Sequence, residues 1–485
     1  MRKPIALMIA LTIALCTSAM ATDWYASEVV DSYRLGNSPY DDPLATLGKP
    51  STWMNNSGAP GDTDPCAVMM ICPAWNVGLS GEKLITTIKS KSSSYAAGYI
   101  IVKFDTPVYD DPDNWYGKDF IVFGNPFFVL GGSYVYSGSN MEDMMLSAYG
   151  GSAMWVEPSP VEVSQDGITW YTFSNGPYAD DYAPTHAFAW DWVENHWLTN
   201  SSGVEIGLDF TRPVDPAWTE SSFASISCAQ AIDMYEGSGG GTPFDLAELP
   251  DYSSLATDPV TGMKWIQYIK VDGVGGEVDA FARVSHMIEP MSIGEAKKLD
   301  DGSHVVLDDV VVSAATYTVG RYCYVQQENR SSGIKVMGRV LDIGAKINLM
   351  GDIDTIDGER VIQATSVLAV TDAETADVKP LGMPNKAIGN FGLSTTGLLV
   401  KTWGTVKSID SETKSFVIDD GSGCDIKCIA PRSTDDNDES NWGSIVDADF
   451  TAPEVDAFVT VTGISSTEEG GETYVIRLRS CDDVQ

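Results

Sequence analysis

Residues 109–125 read YDDPDNWYGKDFIVFGN, so the carboxylates of Asp110, Asp111, Asp113 and Asp119 crowd into one turn that runs straight into the apolar stretch Phe120–Phe123. Carboxylates at loop spacing suit calcium, which takes roughly 6–8 oxygen ligands from side chains and carbonyls. Structural calcium is therefore the cofactor expected of this chain, although no EF-hand phrase is present. The same residues also make an ordinary turn, because Asp-Pro and Asp-Asn pairs hydrogen-bond their own backbone. Both readings are open at the level of sequence.

A second group with chemical potential is aromatic. Trp190, Trp192 and Trp197 fall within eight residues of one another, and Trp115 sits in the acidic turn. An indole offers a flat apolar face with one donor at its edge, which suits a sugar ring when it is exposed and a β-core when it is buried. Catalytic groupings are thinner. The four histidines are His186, His196, His286 and His304, and no G-x-S-x-G elbow accompanies them. Glu157 and Glu205 lie in or beside strand-like runs and supply a carboxylate pair of the kind glycosidases use. The exposed face of a strand accounts for both glutamates equally well.

The chain that must position these groups has 485 residues and a formal charge of −38. Arg2 and Lys3, the apolar stretch Pro4–Cys16 and the small residues up to Ala21 have the form of a secretory signal, with residues 1–21 removed and export to the cell surface or medium expected. Leu15 before Cys16 disfavours a lipid anchor, and no later apolar stretch reaches the roughly 18 residues that cross a bilayer, so no membrane insertion is expected. The acidic balance disfavours polyanions, and nucleic acid is accordingly excluded as a partner while a glycan or a surface protein is retained. Eight cysteines become seven once Cys16 leaves. Cys66 and Cys72 flank a short loop and are the candidate disulfide; no nearby histidine completes a zinc set around Cys424 and Cys428.

Short runs rich in β-branched and aromatic residues, bounded by Gly, Asp, Asn and Pro, dominate the chain: AGYIIVKF, DFIVFG, VEVSQDGITWYTF, GVEIGLDF and KWIQYIKV. The fold class expected is all-β. Residues 22–289 are read as one large jelly-roll-like β-sandwich, 290–378 as a first OB-type barrel, 379–397 as a linker and 398–485 as a second barrel. Ser292 and Glu295 have capping-box spacing and predict a short helix over residues 292–299. The two barrels follow from an internal repeat, in which residues 304–370 and 398–484 each give a strand, a hairpin through an acidic glycine turn, and a closing hairpin kinked at Gly351 or Gly463. On the barrels, Tyr322, Tyr324 and Phe416 occupy strands where bases would stack, but the basic groove such binding needs is missing.

The phrases SIGEAKKLDDGSHVVLDDVVVSA, ENRSSGIKVMG, GLLVKTWGTVKSID, SFVIDDGSG and VTVTGISS resemble the tandem OB-fold modules near the carboxyl ends of many secreted bacterial proteins. Further upstream, DDPLATLGKP, GYIIVKFDTPV, GKDFIVFGNPF, PFDLAEL and VDAF are similar to the β-sandwich of secreted bacterial cell-surface proteins. The resemblance implies a surface or extracellular location without assigned activity, and its phrases add Asp245 and Asp279 to the calcium candidates. This chain departs from it at Gly124, where an acidic residue is common after the FIVF strand. The function expected is an exported, non-catalytic binding or adhesion protein recognising glycan or envelope components. The alternative is a secreted carbohydrate-active enzyme working through a carboxylate pair in the sandwich.

Overall fold

A computed structural model describes residues 24–50, 85–128, 140–146, 154–186, 188–203, 206–370, 376–388, 394–434, 439–468, 470–471 and 473–485. The signal segment, the Cys66–Cys72 pair and Glu205 lie outside the described residues.

The chain is all-β, and its amino-terminal unit is built on two facing sheets. Tyr99–Tyr109 pairs with Glu28–Tyr33 on one side and with Trp265–Asp272 on the other, and Val161–Ser164 and Tyr171–Thr172 complete a five-stranded sheet. A three-stranded sheet places Phe120–Phe123 between Thr242–Phe244 and Ala280–Arg283, all antiparallel. Alternation in the first sheet sends Ile100, Val102 and Phe104 inward, where they meet Phe120, Val122, Phe244 and Phe281 of the second. The other face of the short sheet, Ile121 and Phe123, packs on Phe210, Val306 and Met350. Coverage on both faces is why FIVF reads as an unbroken apolar run instead of an alternating one. Most of residues 182–240 lies outside these sheets, with one helix at Cys228–Met234, so a single jelly roll does not account for the whole unit.

The carboxyl-terminal half holds two barrels of the same strand order. The first closes as His304–Ala314, Cys323–Gln327, Gly333–Met337, Glu359–Ala369 and Lys346–Ile356, with one parallel pairing between the third and fourth of these. In the second, Leu399–Ile409, Phe416–Asp419, Asp425–Ile429, Tyr474–Arg477 and Phe458–Thr467 repeat that order and that parallel pair. Gly351 and Gly463 fall where the closing hairpins cross: a Cβ there would lie 2.2 Å from the Gln363 carbonyl oxygen or 2.5 Å from that of Arg477. Ser292 caps a helix of one turn, Ile293–Ala296, through a reciprocal capping box with Glu295, and this is shorter than the expected 292–299. The stretch 379–397 is more than a linker, because Leu381–Gly382 adds a parallel strand to the second barrel and Asn385–Ile388 is helical.

The three units are packed together. Arg339, after the third strand of the first barrel, donates to the Trp190 and Thr365 carbonyls at 2.7 and 2.8 Å and pairs with Asp233 at 2.8 Å. Between the barrels, Glu359 accepts from Tyr324 and Ser466 at 3.0 and 3.1 Å and pairs with Lys335 at 2.6 Å, all of them buried.

Candidate functional site

The strand register brings part of the acidic turn to a point. Phe244 stands opposite Phe120, so the next residues outward, Asp245 and Asp119, face each other at the mouth of the three-stranded sheet. Asp110 arrives from the end of the Tyr99–Tyr109 strand in the facing sheet. Carboxylate oxygens of Asp110, Asp119 and Asp245 lie within 4.8 Å of one another. Two ligands on opposite sides of a calcium ion, at about 2.4 Å each, would be separated by about that distance.

Each carboxylate is held from behind. Asp119 is 1% exposed; it accepts from the Leu246 amide at 2.7 Å, from the Asp111 amide at 3.2 Å and from Asn114 Nδ2 at 3.5 Å. Asp245 caps the short 3-10 turn Leu246–Glu248 by accepting from the Ala247 amide at 2.8 Å. Asp110 accepts from the Tyr252 hydroxyl. Burial, outweighing those hydrogen bonds and aided by the charges of Asp110 and Asp245, pushes the Asp119 carboxyl up to about 8. Burial also raises Asp245, and the hydrogen bond to Asp110, followed by burial, lifts Tyr252 to about 12. Two like charges about 4 Å apart repel by about 4 kcal/mol at an effective dielectric of about 20, a large share of the roughly 5–15 kcal/mol that holds a domain together. Three ionised carboxylates at this spacing therefore need a proton or a cation between them.

The remaining calcium candidates are placed elsewhere. Asp111 pairs with His286 at 3.0 Å and accepts from the Asp113 amide at 3.0 Å, a local turn, while Asp113 is exposed. Asp279 is buried beside the short sheet, its amide bonded to the Phe123 carbonyl at 2.8 Å, and is not among the three converging groups.

The indoles named from sequence do not form a platform, and this reading is corrected. Trp115 is 5% exposed with the Arg212 guanidinium 4.0 Å above its ring, and Trp190 is 2% exposed. Trp192 and Trp197 are half-buried against the same core, Trp197 edge-on to Trp190 at 5.5 Å. The Trp-rich stretch is core material because it fills the space between the Cys228–Met234 helix and the first barrel, where Arg339 reaches its backbone. The barrel aromatics behave alike: Tyr324 is buried between the barrels and Phe416 lies in the second barrel's core. Of the other expected groups, Cys424, Cys428 and Cys481 are free thiols.

An exposed aromatic pair that the sequence reading missed lies on the second barrel. Trp403 and Phe458 are 41% and 67% exposed. Thr405 stands opposite Phe458 and Trp403 opposite Thr460, so the two rings are diagonal neighbours on one outer face. Lys407, Asp419, Asp420 and Asp456 line the same groove. Alternation in LLVKTWGTVKSI, with Trp403, Thr405 and Lys407 on one face and Thr402 and Val406 buried on the other, was the available signal.

Among the described residues no helix is long and apolar enough to cross a membrane. No family model matches the chain, and no curated protein matches it. Solved structures similar to it include an Ifi202 HINa domain in complex with 20-bp dsDNA, at 13% identity and a TM-score of 0.20 over 38% of this chain and 95% of that one. Another is the tetrameric p202 HIN2, at 15% identity and a TM-score of 0.19 over 40% of this chain and 96% of that one. The exclusion of nucleic acid as a partner is withdrawn beside these neighbours, because a net charge summed over a chain does not fix the potential of any one face. At these scores the likeness itself carries no argument about what this chain binds.

Proposed function

We propose that this chain is an exported, non-catalytic binding protein that takes a glycan on the outer face of its second barrel, with a calcium-type cation fastening the amino-terminal sheets through Asp110, Asp119 and Asp245. The observation that carries the ligand reading is the exposed Trp403–Phe458 pair. Two flat apolar rings a diagonal step apart suit the apolar faces of consecutive sugar residues. The groove beside them offers carboxylate acceptors in Asp419, Asp420 and Asp456 and a donor in Lys407, the partners that sugar hydroxyls require. Lys407 is already fixed by Asp419 at 3.3 Å and Asp425 at 3.1 Å, which holds the polar edge of the groove in place. The cation reading is supported by the convergence of three carboxylates from two sheets.

Affinity electrophoresis through gels containing different polysaccharides tests the ligand reading. Retardation in at least one gel is expected, with affinity falling about 5- to 30-fold in Trp403→Ala, because loss of one stacking ring removes roughly 1–2 kcal/mol. Migration unaffected by every polysaccharide overturns glycan binding. Release of reducing sugar during the run overturns the non-catalytic part and favours the carboxylate-pair enzyme.

A further inference from the structure

A second cluster of carboxylates, about which the reading above is silent, is built more tightly than the first. Glu157 follows the strand Met154–Trp155, Asp180 lies beside the bridge between Ser159 and Ala179, and Glu277 opens a two-residue strand that pairs with Thr86–Thr87. Their carboxylate oxygens lie within 4.8 Å of one another.

The backbone is shaped around these oxygens. Asp180 adopts a left-handed conformation, φ 56°, rare for a residue with a side chain. Its carboxylate accepts from the Asn125 amide at 2.8 Å and from the Glu277 amide at 3.2 Å. Space for it comes from Gly124, where a Cβ would stand 2.4 Å from Asp180 Oδ1. Gly276 forms the opposite wall: a Cβ there would be 2.4 Å from the Glu157 carbonyl oxygen, 2.7 Å from Ser159 Oγ and 3.3 Å from Asp180 Oδ2. Three oxygens from three positions therefore crowd one point on the Gly276 side.

What these oxygens face is unbalanced. Ser159 is 1% exposed, and its hydroxyl has no hydrogen-bond partner among the described residues although it borders, with Asp180 Oδ2, the same point beside Gly276. Glu277 Oε1 accepts from Thr87 at 3.2 Å, whereas its buried Oε2 has no donor among the described residues. Beyond burial and hydrogen bonds, the charges acting on Asp180 and Glu277 come from other carboxylates, Glu157, Asp181 and Asp180. Buried acceptors without donors are uncommon in native proteins and call for a missing counterpart. A hard divalent cation bound by oxygens alone is the counterpart that answers all of them together.

We infer that Glu157, Ser159, Asp180 and Glu277 form a second divalent-cation site, of calcium type, which pins residues 157–159, 180 and 277 to one another. The hydroxyl of Ser159 and the Glu157 carbonyl complete the oxygen set that the three carboxylates begin. The cation would tie the short Glu277–Val278 strand to the segment entering Val161–Ser164, two connections that the main sheets do not make.

Calcium stoichiometry, measured on the full chain by equilibrium dialysis and calorimetry after EDTA treatment, decides the matter. The wild-type chain is expected to bind two ions, and Glu277→Gln to bind one. Asp119→Asn, altered at the other cluster, should also bind one, so the two sites succeed or fail separately. Ser159→Ala should still bind two, with about tenfold weaker affinity for one of them. Near-UV circular dichroism of the calcium-free variants checks folding, and Glu157→Gln replaces Glu277→Gln if the latter has lost its tertiary signal. Glu277→Gln or Glu157→Gln binding as many ions as the wild type, at unchanged affinity, overturns the inference.

Discussion

Asp119 combines a structural role with the ligand role proposed for it. Its carboxylate organises the turn by accepting from Asp111, Asn114 and Leu246, yet it is held above its ordinary range because burial outweighs those bonds. The linkage has a definite sign. A carboxyl that titrates near 8 in the folded chain and near 3.8 when unfolded keeps a proton in the native state that the unfolded state has released. The stability tied to that proton is complete below about pH 4 and is lost as pH climbs through about 8. In EDTA the melting temperature is therefore expected to fall between about pH 5 and pH 8, by roughly 8–16 °C, since about 1.4 kcal/mol per pH unit over about three units acts on a domain of this size. Calcium should abolish most of that fall by replacing the proton, and Asp119→Asn should lessen it without calcium, leaving the part that Asp180 and Glu277 contribute. Differential scanning calorimetry across the pH series reads all three; a melting temperature that rises with pH in EDTA would sink the reading.

At the scale of elements, strand ends do most of the positioning. The antiparallel pairing of Phe120 with Phe244 converts two distant aspartates into neighbours, and a one-residue slip would turn each to the opposite face. Gly124 lies just past the end of that same strand, at a position with no room for a side chain. The room that a side chain at 124 would take is filled by the Asp180 carboxylate, 2.4 Å from the ideal Cβ. An alanine at 124 must displace backbone-bonded Asp180, and overpacking of this kind costs about 1–3 kcal/mol. Urea denaturation of Gly124→Ala is expected to show that loss, together with weaker binding of one calcium ion only. Unchanged stability would mean that Asp180 moves freely, against its two backbone bonds.

For the whole molecule, the junctions between units combine apolar contacts, such as Ile121 and Phe123 on Val306 and Met350, with buried polar pairs that specify arrangement more than they add stability. Glu359 is 1% exposed at the junction of the two barrels, and its charge is answered by Lys335 at 2.6 Å and by the Tyr324 and Ser466 hydroxyls. Removing one partner of a buried pair typically costs about 3–5 kcal/mol, because the other charge stays behind. Lys335→Met should lose that much in urea titrations of the full chain, and Lys335→Met with Glu359→Leu should recover most of it. A single variant within about 1 kcal/mol of wild type would show that the pair is solvated and the barrels separable.

Period and turn chemistry were enough to reveal the all-β class, the repeated barrels and the glycine kinks at Gly351 and Gly463, because strand alternation and close backbone approach leave local marks in a sequence. Asp110 and Asp119 were legible as acidic residues of one turn and Asp245 entered only through the resemblance, whereas their separation from Asp111 and Asp113 was not legible. Which aspartates converge depends on the register between strands over a hundred residues apart and on how two sheets face each other. The same limit explains the tryptophans: burial of Trp115 and Trp190 is set by Arg212 and by the first barrel's Arg339, contacts that no local pattern contains. Exposure of Trp403 was half visible, since alternation gives a side chain its face, whereas only tertiary packing determines which faces remain uncovered. Composition and periodicity thus determined what kinds of elements this chain makes. Only the tertiary structure decided which carboxylates share a point in space, because that proximity is a property of long-range pairing and of what each face is packed against.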